Sequence, residues 1–269
     1  MRRPHMKRFV AHSALGKAIR NAFFIANSIG MMCAIGTICF AGFMLHANWY
    51  YADILQCGLY IQVAWTLISA SIVYIVLACT AFYFVITELR YFLFTLAVAY
   101  AFIALFMILA GIFTIVFEYQ LTHLTAMNLE MLMSLKELYG RKGFGHITVG
   151  WDTLQENYQC CGVMNDTTNF DIWRRSKWHM WLKQQPKDRV PLSCCRLDER
   201  TGLHVDAKKC VDAQHPVDDE YFNSEPCYFL LRELLLRWSF ASGLISFSNA
   251  FIVLIPAVLA VVYGTMIKK

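Results

Sequence analysis

The sequence predicts an all-α membrane protein: four transmembrane helices, with a disulfide-stapled, mainly helical large extracellular loop between spans three and four. Three observations predict it. Of the 269 residues, 58% are hydrophobic and only 16% are charged, whereas soluble domains carry about a quarter charged residues. The apolar residues are gathered into four blocks, each longer than the ~18–20 residues a helix needs to cross a bilayer. Finally, six of the ten cysteines fall in the one long polar stretch, including the doublets in YQCCG (158–162) and SCC (193–195).

Residues 1–21 are a basic arm holding Arg2, Arg3, Lys7, Arg8, Lys17 and Arg20 and no acid. The apolar block behind it is too long and too far from the start for a cleaved signal peptide, so 22–45 is the first span. Spans two, three and four are 61–86, 91–117 and 240–267. None of the four contains Lys, Arg, Asp or Glu, whereas four core helices of a soluble protein would each show a polar face. The segment 46–60 is a small extracellular loop without Lys or Arg, 87–90 a short cytoplasmic loop, 118–239 the large extracellular loop, and 268–269 (Lys268, Lys269) a cytoplasmic C-terminus. Basic residues concentrate at the two ends, and the positive-inside rule then puts both termini in the cytoplasm. Asn165-Asp166-Thr167 is an N-glycosylation sequon on the side the rule calls outside.

The net charge of +5 does not mark a nucleic-acid binder. Residues 118–238 carry 15 Lys and Arg against 17 Asp and Glu, so the excess positive charge lies beside the membrane. The cysteines in that segment are Cys160, Cys161, Cys194, Cys195, Cys210 and Cys227. An even number outside the cell reads as a disulfide framework. A zinc site would show C-x-x-C or paired His spacing, and neither occurs. Six cysteines admit fifteen pairings; adjacent ones do not bond each other readily, because the ring they close is strained. The region 162–226 is too polar to build a large core alone, so the doublets are staples rather than redox sites.

Within the loop, 119–139 lacks Pro and Gly and continues the third span as a stalk, which Gly140, Gly143 and Gly145 then break. Residues 148–160 form a second helix with an apolar stripe of Trp151, Leu154 and Tyr158. A third helix starts at Pro226 and runs into the fourth span. The cap, FDIWRRSKWHMWLKQQPKDRVP, alternates Trp173, Trp178 and Trp181 with Arg174, Arg175 and Lys177. Aromatic residues with Arg compose binding hot spots, so these six are the partner-binding candidates. The competing readings are a small cap core and contact with lipid headgroups. Inside the spans, Gly30, Gly36 and Gly42 recur every six residues rather than four, so no GxxxG motif is formed. Cys33, Cys39 and Cys79 read as buried small apolar residues, and Cys79, near the inner face, is also a candidate for palmitoylation. Cys57 in the small loop is free or intermolecular. Tyr263-Gly264-Thr265-Met266 has the form of a sorting signal but lies against the bilayer.

This layout resembles the tetraspanin family over nearly the whole chain. The residues that carry the resemblance are Cys160-Cys161-Gly162, Pro191-Leu192-Ser193-Cys194-Cys195, Cys210 and Cys227, set in four spans with the large loop before the last. The count is that of the family's six-cysteine branch. The resemblance implies the pairs Cys160–Cys227, Cys161–Cys194 and Cys195–Cys210, with exchange of Cys194 and Cys195 the main alternative. In the loop-entropy account such bridges contribute ~4.4, ~3.8 and ~3.1 kcal/mol, not fully additively because they are nested. Asn27 is similar to the family's first-span asparagine and is a candidate for an interhelical hydrogen bond. The polar residues the family often carries in spans three and four align with Met107 and Pro256, which places its intramembrane polar network in question. The second span's Ala78-Cys79-Thr80-Ala81-Phe82 is likewise a degraded version of a family stretch.

No G-x-S-x-G, H-E-x-x-H or phosphate loop occurs, and the spans lack the ionisable residues of a transporter. The expected function is a non-enzymatic membrane scaffold, without cofactor or metal. The resemblance implies microdomain assembly that affects trafficking, adhesion or signalling, at the plasma membrane with endosomal traffic. Its expected partners are membrane proteins met laterally and outwards in homo- or hetero-oligomers, and the lipid bilayer, sterol included, but not nucleic acid. The alternative is a four-span subunit of a cell-junction or channel assembly, whose large loop would usually lie between the first two spans.

Overall fold

In the computed structural model the described residues are 13–55, 59–122, 124–163, 169–183, 186–198, 200–212 and 220–267. Among them helices dominate, and strand geometry is limited to two isolated bridges, Cys195 with Phe222 and Leu197 with His204. Four helices are long and apolar enough to cross a membrane: α1 (Ala14–Leu55), α2 (Leu59–Ile86), α3 (Arg90–Thr122) and α9 (Cys227–Met266). Their 42, 28, 33 and 40 residues exceed what a bilayer core requires, so the ends of α1, α3 and α9 project beyond it. Helix α1 continues to Leu55 because nothing between His46 and Leu55 is Gly or Pro. Most of what the sequence offers as a small loop is therefore helix. The turn between α2 and α3 is only Thr87–Leu89, with Glu88 at φ 54°.

Two compact units emerge, one of residues 1–45, 62–115 and 240–269, the other of 46–61 and 116–239. The first is the helical bundle. Its interior is apolar and rich in small residues, with Ala34, Ala41, Ala64, Ala78 and Ala260 all buried. Gly30 packs directly on Tyr74: a Cβ at that position would fall 2.0 Å from the Tyr74 hydroxyl. Gly111 accepts the Phe247 ring in the same manner, its Cβ position 2.8 Å from the ring edge. Outward-facing Met32, Phe102 and Phe251 are each more than half exposed, as a surface in contact with acyl chains requires.

Polar pairs cross this bundle at two levels. The Tyr100 hydroxyl of α3 donates to Asn27 Oδ1 of α1 at 2.7 Å, and Asn27 Nδ2 donates to the Phe23 carbonyl at 3.0 Å. Asn249 Nδ2 of α9 donates to Thr37 Oγ1 of α1 at 2.7 Å. Interhelical hydrogen bonds in membranes are worth about 0.6–1.7 kcal/mol each. The polar side chains of the third and fourth spans that bond across to α1 thus include Tyr100 and Asn249, whereas Met107 and Pro256 bring no polar group. Tyr100 and Asn249 each lie seven residues, two helical turns, before the residue at which the alignment looks for it. Met107 is buried and apolar, and Pro256 sits inside α9.

The second unit contains the end of α1, α4 (Leu124–Met133), a π turn (Ser134–Leu138), α5 (Gly145–Tyr158), the short helices α6 (Asn169–Arg174), α7 (Lys177–Trp181) and α8 (Ala207–Val211), and the start of α9. The expected stalk is helical over Leu124–Met133 and opens into the π turn at Ser134–Leu138. The Arg232 Nε–H donates to the Leu121 carbonyl at 2.9 Å, tying α9 to α3. Farther on, the Tyr139 N–H reaches the Ser134 carbonyl, closing the wider turn. Helix α5 begins three residues earlier than its apolar stripe suggests. It runs against the end of α1: a Cβ on Gly150 would lie 2.8 Å from the Tyr50 carbonyl, and Tyr158 meets Tyr51 edge to face at 6.1 Å.

Candidate functional site: the stapled loop

The loop is organised around its sulfur atoms. Cys160–Cys227, Cys161–Cys194 and Cys195–Cys210 are bonded, with Cα separations of 5.0, 5.0 and 5.8 Å. All six half-cystines are buried. Gln159, in the left-handed region at φ 49°, ends α5 and turns the doublet inward. Cys160 then meets the first residue of α9, while Cys161 reaches the short 3₁₀ turn Leu192–Cys194. Backbone bonds reinforce the junction: Cys161 N–H to the Glu225 carbonyl at 2.8 Å, and Cys227 N–H to the Gly162 carbonyl at 3.2 Å. The Trp173 indole N–H points at Cys161 Sγ at 3.2 Å.

A buried polar seam joins α5 to the segments above and beside it. The Trp151 indole N–H donates to Ser134 Oγ at 2.9 Å, and the Tyr139 hydroxyl to Asp152 Oδ1 at 2.7 Å. Ser193, the serine of PLSCC, sets its hydroxyl 2.8 Å from Asp152 Oδ1 and 2.7 Å from the Gln155 side-chain amide. A hydroxyl carries one proton. It goes to Asp152 Oδ1 or to Gln155 Oε1, both acceptors, so the hydroxyl bridges the two α5 side chains. The staple motif therefore contributes a hydrogen-bonded pin as well as its cysteines.

Tyr139 is held neutral. Burial raises its pKa well above the ordinary tyrosine value, and the Asp152 charge and hydrogen bond raise it further. The folded loop retains this proton after an unfolded chain would lose it near pH 10. The associated stability is complete below about pH 10 and is lost as pH climbs from there toward the raised native value. Between about pH 10 and 11.5, loop stability of the native chain is expected to fall more steeply than that of Tyr139→Phe. Protease resistance of the loop against pH checks this; equal slopes would contradict it.

The three cap tryptophans have different positions. Trp173 is wholly enclosed, ring to ring with Tyr139 at 4.9 Å and Trp178 at 5.7 Å. Trp178 is half-buried against Tyr139 and Gly140. Gly140 is required twice over, by its φ of 71° and because a Cβ would lie 2.5 Å from the Trp178 ring. Trp181 is 51% exposed beside Met180 at 57%. Arg174 and Arg175 are exposed, and the half-exposed Lys177 forms an ion pair with Glu137. The candidates thus divide into an interior, Trp173 with most of Trp178, and an outer edge of Trp181, Arg174, Arg175 and Lys177. Ser176 fixes α7 by accepting from the His179 N–H at 3.3 Å.

Asn165 and Cys57 lie outside the described residues, as does the basic arm before Ser13. The burial expected of the three span cysteines is not what the bundle shows: Cys79 and Cys39 face outward and are exposed on their helices, and Cys33 is half-buried. Among the described residues no cluster of three His, Cys, Asp or Glu side chains could hold a metal ion.

The family model described as "Tetraspanin family" matches residues 19–268. The chain belongs to the tetraspanin family. Tetraspanin-15 of Caenorhabditis elegans is 34% identical over 263 residues, spanning 96% of this chain and 97% of that one. CD151 antigen of Chlorocebus aethiops is 31% identical over 149 residues, 54% of this chain and 55% of its own. Human Tetraspanin-4 is 35% identical over 69 residues, about a quarter of each chain (25% and 24%). This tetraspanin is thus a multi-pass membrane protein whose stapled loop lies between its third and fourth membrane helices. The residues that sequence reasoning passed over in that loop are Ser134, Tyr139, Asp152, Gln155 and Ser193. Only Ser193 carried a signal, its place between Pro191 and the cysteine doublet.

Proposed function

We propose that this tetraspanin is a non-enzymatic organiser of membrane proteins. It holds partners laterally through its uncharged helices and outwardly through the edge of its cap, in homo- or hetero-oligomers. Both termini lie in the cytoplasm and the stapled loop faces the extracellular side, at the plasma membrane and in endosomes derived from it. Recruitment into such assemblies is how it acts on trafficking, adhesion or signalling of its partners. The observation that carries this reading is the exposed Trp181–Met180 edge on a cap whose other two tryptophans, Trp173 and Trp178, pack against Tyr139. Tryptophan and arginine are enriched among the residues that dominate binding.

Two experiments test it. Trp181→Ala is expected to reduce recovery of co-purifying membrane proteins in mild detergent about tenfold, with no new reactive thiols. Unchanged recovery would assign Trp181 no part in binding. This orientation exposes the Asn165 sequon to glycosylation, so glycosidase should shift the native chain on a gel but not Asn165→Gln, and equal mobility would count against the site. Protease added to intact cells should also cut within 118–238. Protection of that segment until the cells are opened would invert the orientation.

A further inference from the structure

The charges of the loop are polarised in a way its near-neutral total conceals. The stretches 136–142 and 174–189 together hold nine of its fifteen bases but only two of its seventeen acids, Glu137 and Asp188. The fold joins these stretches. Lys177 bridges to Glu137, Trp178 rests on Gly140, and the Lys187 ammonium donates to the His179 and Met180 carbonyls at 3.1 and 3.3 Å. His179 registers the convergence: burial lowers its pKa, and Lys187 and then Arg174 lower it further. Glu137, one of the two acids, is already matched by Lys177. Arg141 is steadied over the Phe144 ring at 5.3 Å. Beside these bases lie the two exposed apolar side chains Met180 and Trp181.

We infer that this face docks an acidic protein segment bearing an apolar anchor, its carboxylates meeting Arg141, Arg174, Arg175, Lys183 and Lys187 and its anchor covering Met180 and Trp181. The inference deepens the organiser reading and rests on it, because it names the chemistry of the outward partner. A sulfated polysaccharide would also satisfy the bases, but it brings no aliphatic side chain for Met180. Complementary charge of this kind sets the encounter rate and excludes like-charged partners, and salt weakens it.

The test uses the full chain in nanodiscs of zwitterionic lipid and a fluorescent peptide of glutamates around one leucine. Its glutamine counterpart and heparin are the comparison probes. The glutamate peptide is expected to bind more weakly in high salt. Arg175→Glu/Lys183→Glu should weaken it about tenfold, as should Trp181→Ala, while Lys208→Glu, on α8, should leave it unchanged. Equal binding of the glutamine peptide, equal loss in Lys208→Glu, or binding of heparin but not of the peptide would each overturn the inference. Co-purification of membrane proteins with the native chain is measured in parallel. If partners are retained while the peptide fails, only the acidic-partner inference falls; if none are retained, the organiser reading falls as well. Absence of reactive thiols in each variant establishes that its staples remain closed.

Discussion

Replacing Cys160 and Cys227 together by alanine is expected to unfasten the loop while leaving the membrane bundle in place. This bridge spans 67 positions, and closing a loop of that length constrains the unfolded chain by ~4.4 kcal/mol. A domain of modest size has about 5–15 kcal/mol in total. The double replacement also avoids a lone thiol that would scramble the other pairs. Limited proteolysis in detergent should show the segment between α5 and α9 cut at least tenfold faster. The shorter Cys195–Cys210 bridge, spanning 15 positions, should cost ~3.1 kcal/mol or less when removed in the same way. Equal protease resistance of the Cys160/Cys227 double variant and the native chain would show that packing alone holds the loop.

The second large effect is expected at Trp151, which is fully buried on α5 and donates to Ser134. Trp151→Ala should destabilise the loop by about 3–5 kcal/mol through the void it leaves. A further ~1 kcal/mol follows because the Ser134 hydroxyl loses its partner. Trp151→Phe preserves most of the volume but not the N–H, so it should cost considerably less than the alanine variant. Val149→Ala, on the exposed side of the same helix, should change stability by no more than about 0.5 kcal/mol. Thermal loss of protease resistance ranks the three. A Trp151→Ala variant as stable as Val149→Ala would refute the role given to the seam.

The four membrane helices were legible because an uncharged apolar run of that length has few other uses. Three helices of the loop, α4, α5 and the start of α9, were legible from Gly140, Pro226 and the stripe of Trp151 and Leu154, whereas the short α6, α7 and α8 carry too few turns for a periodic signal. Other features depend on partners distant in the chain. Nothing in the composition of 119–139 announces that the Leu121 carbonyl is met by Arg232, which lies 111 positions away. Asn249 is one amide in a long apolar run, and its significance comes only from Thr37 on another helix. The cap tryptophans share composition and differ in environment, so their sequence could not separate the enclosed Trp173 from the exposed Trp181. The Asp152 seam was hidden similarly: a lone acid on an amphipathic helix reads as solvated until Tyr139 and Ser193 are seen to close over it.

The nesting of the three bridges also governs how the loop responds to cutting. Cys160–Cys227 encloses the other two, so a single nick anywhere between them frees neither portion. The cleaved molecule would keep its full mass on a gel run without reductant and separate into two fragments only once thiols are added. Shedding of a piece of the cap therefore requires at least two cuts, and a loop damaged once stays attached to its membrane helices.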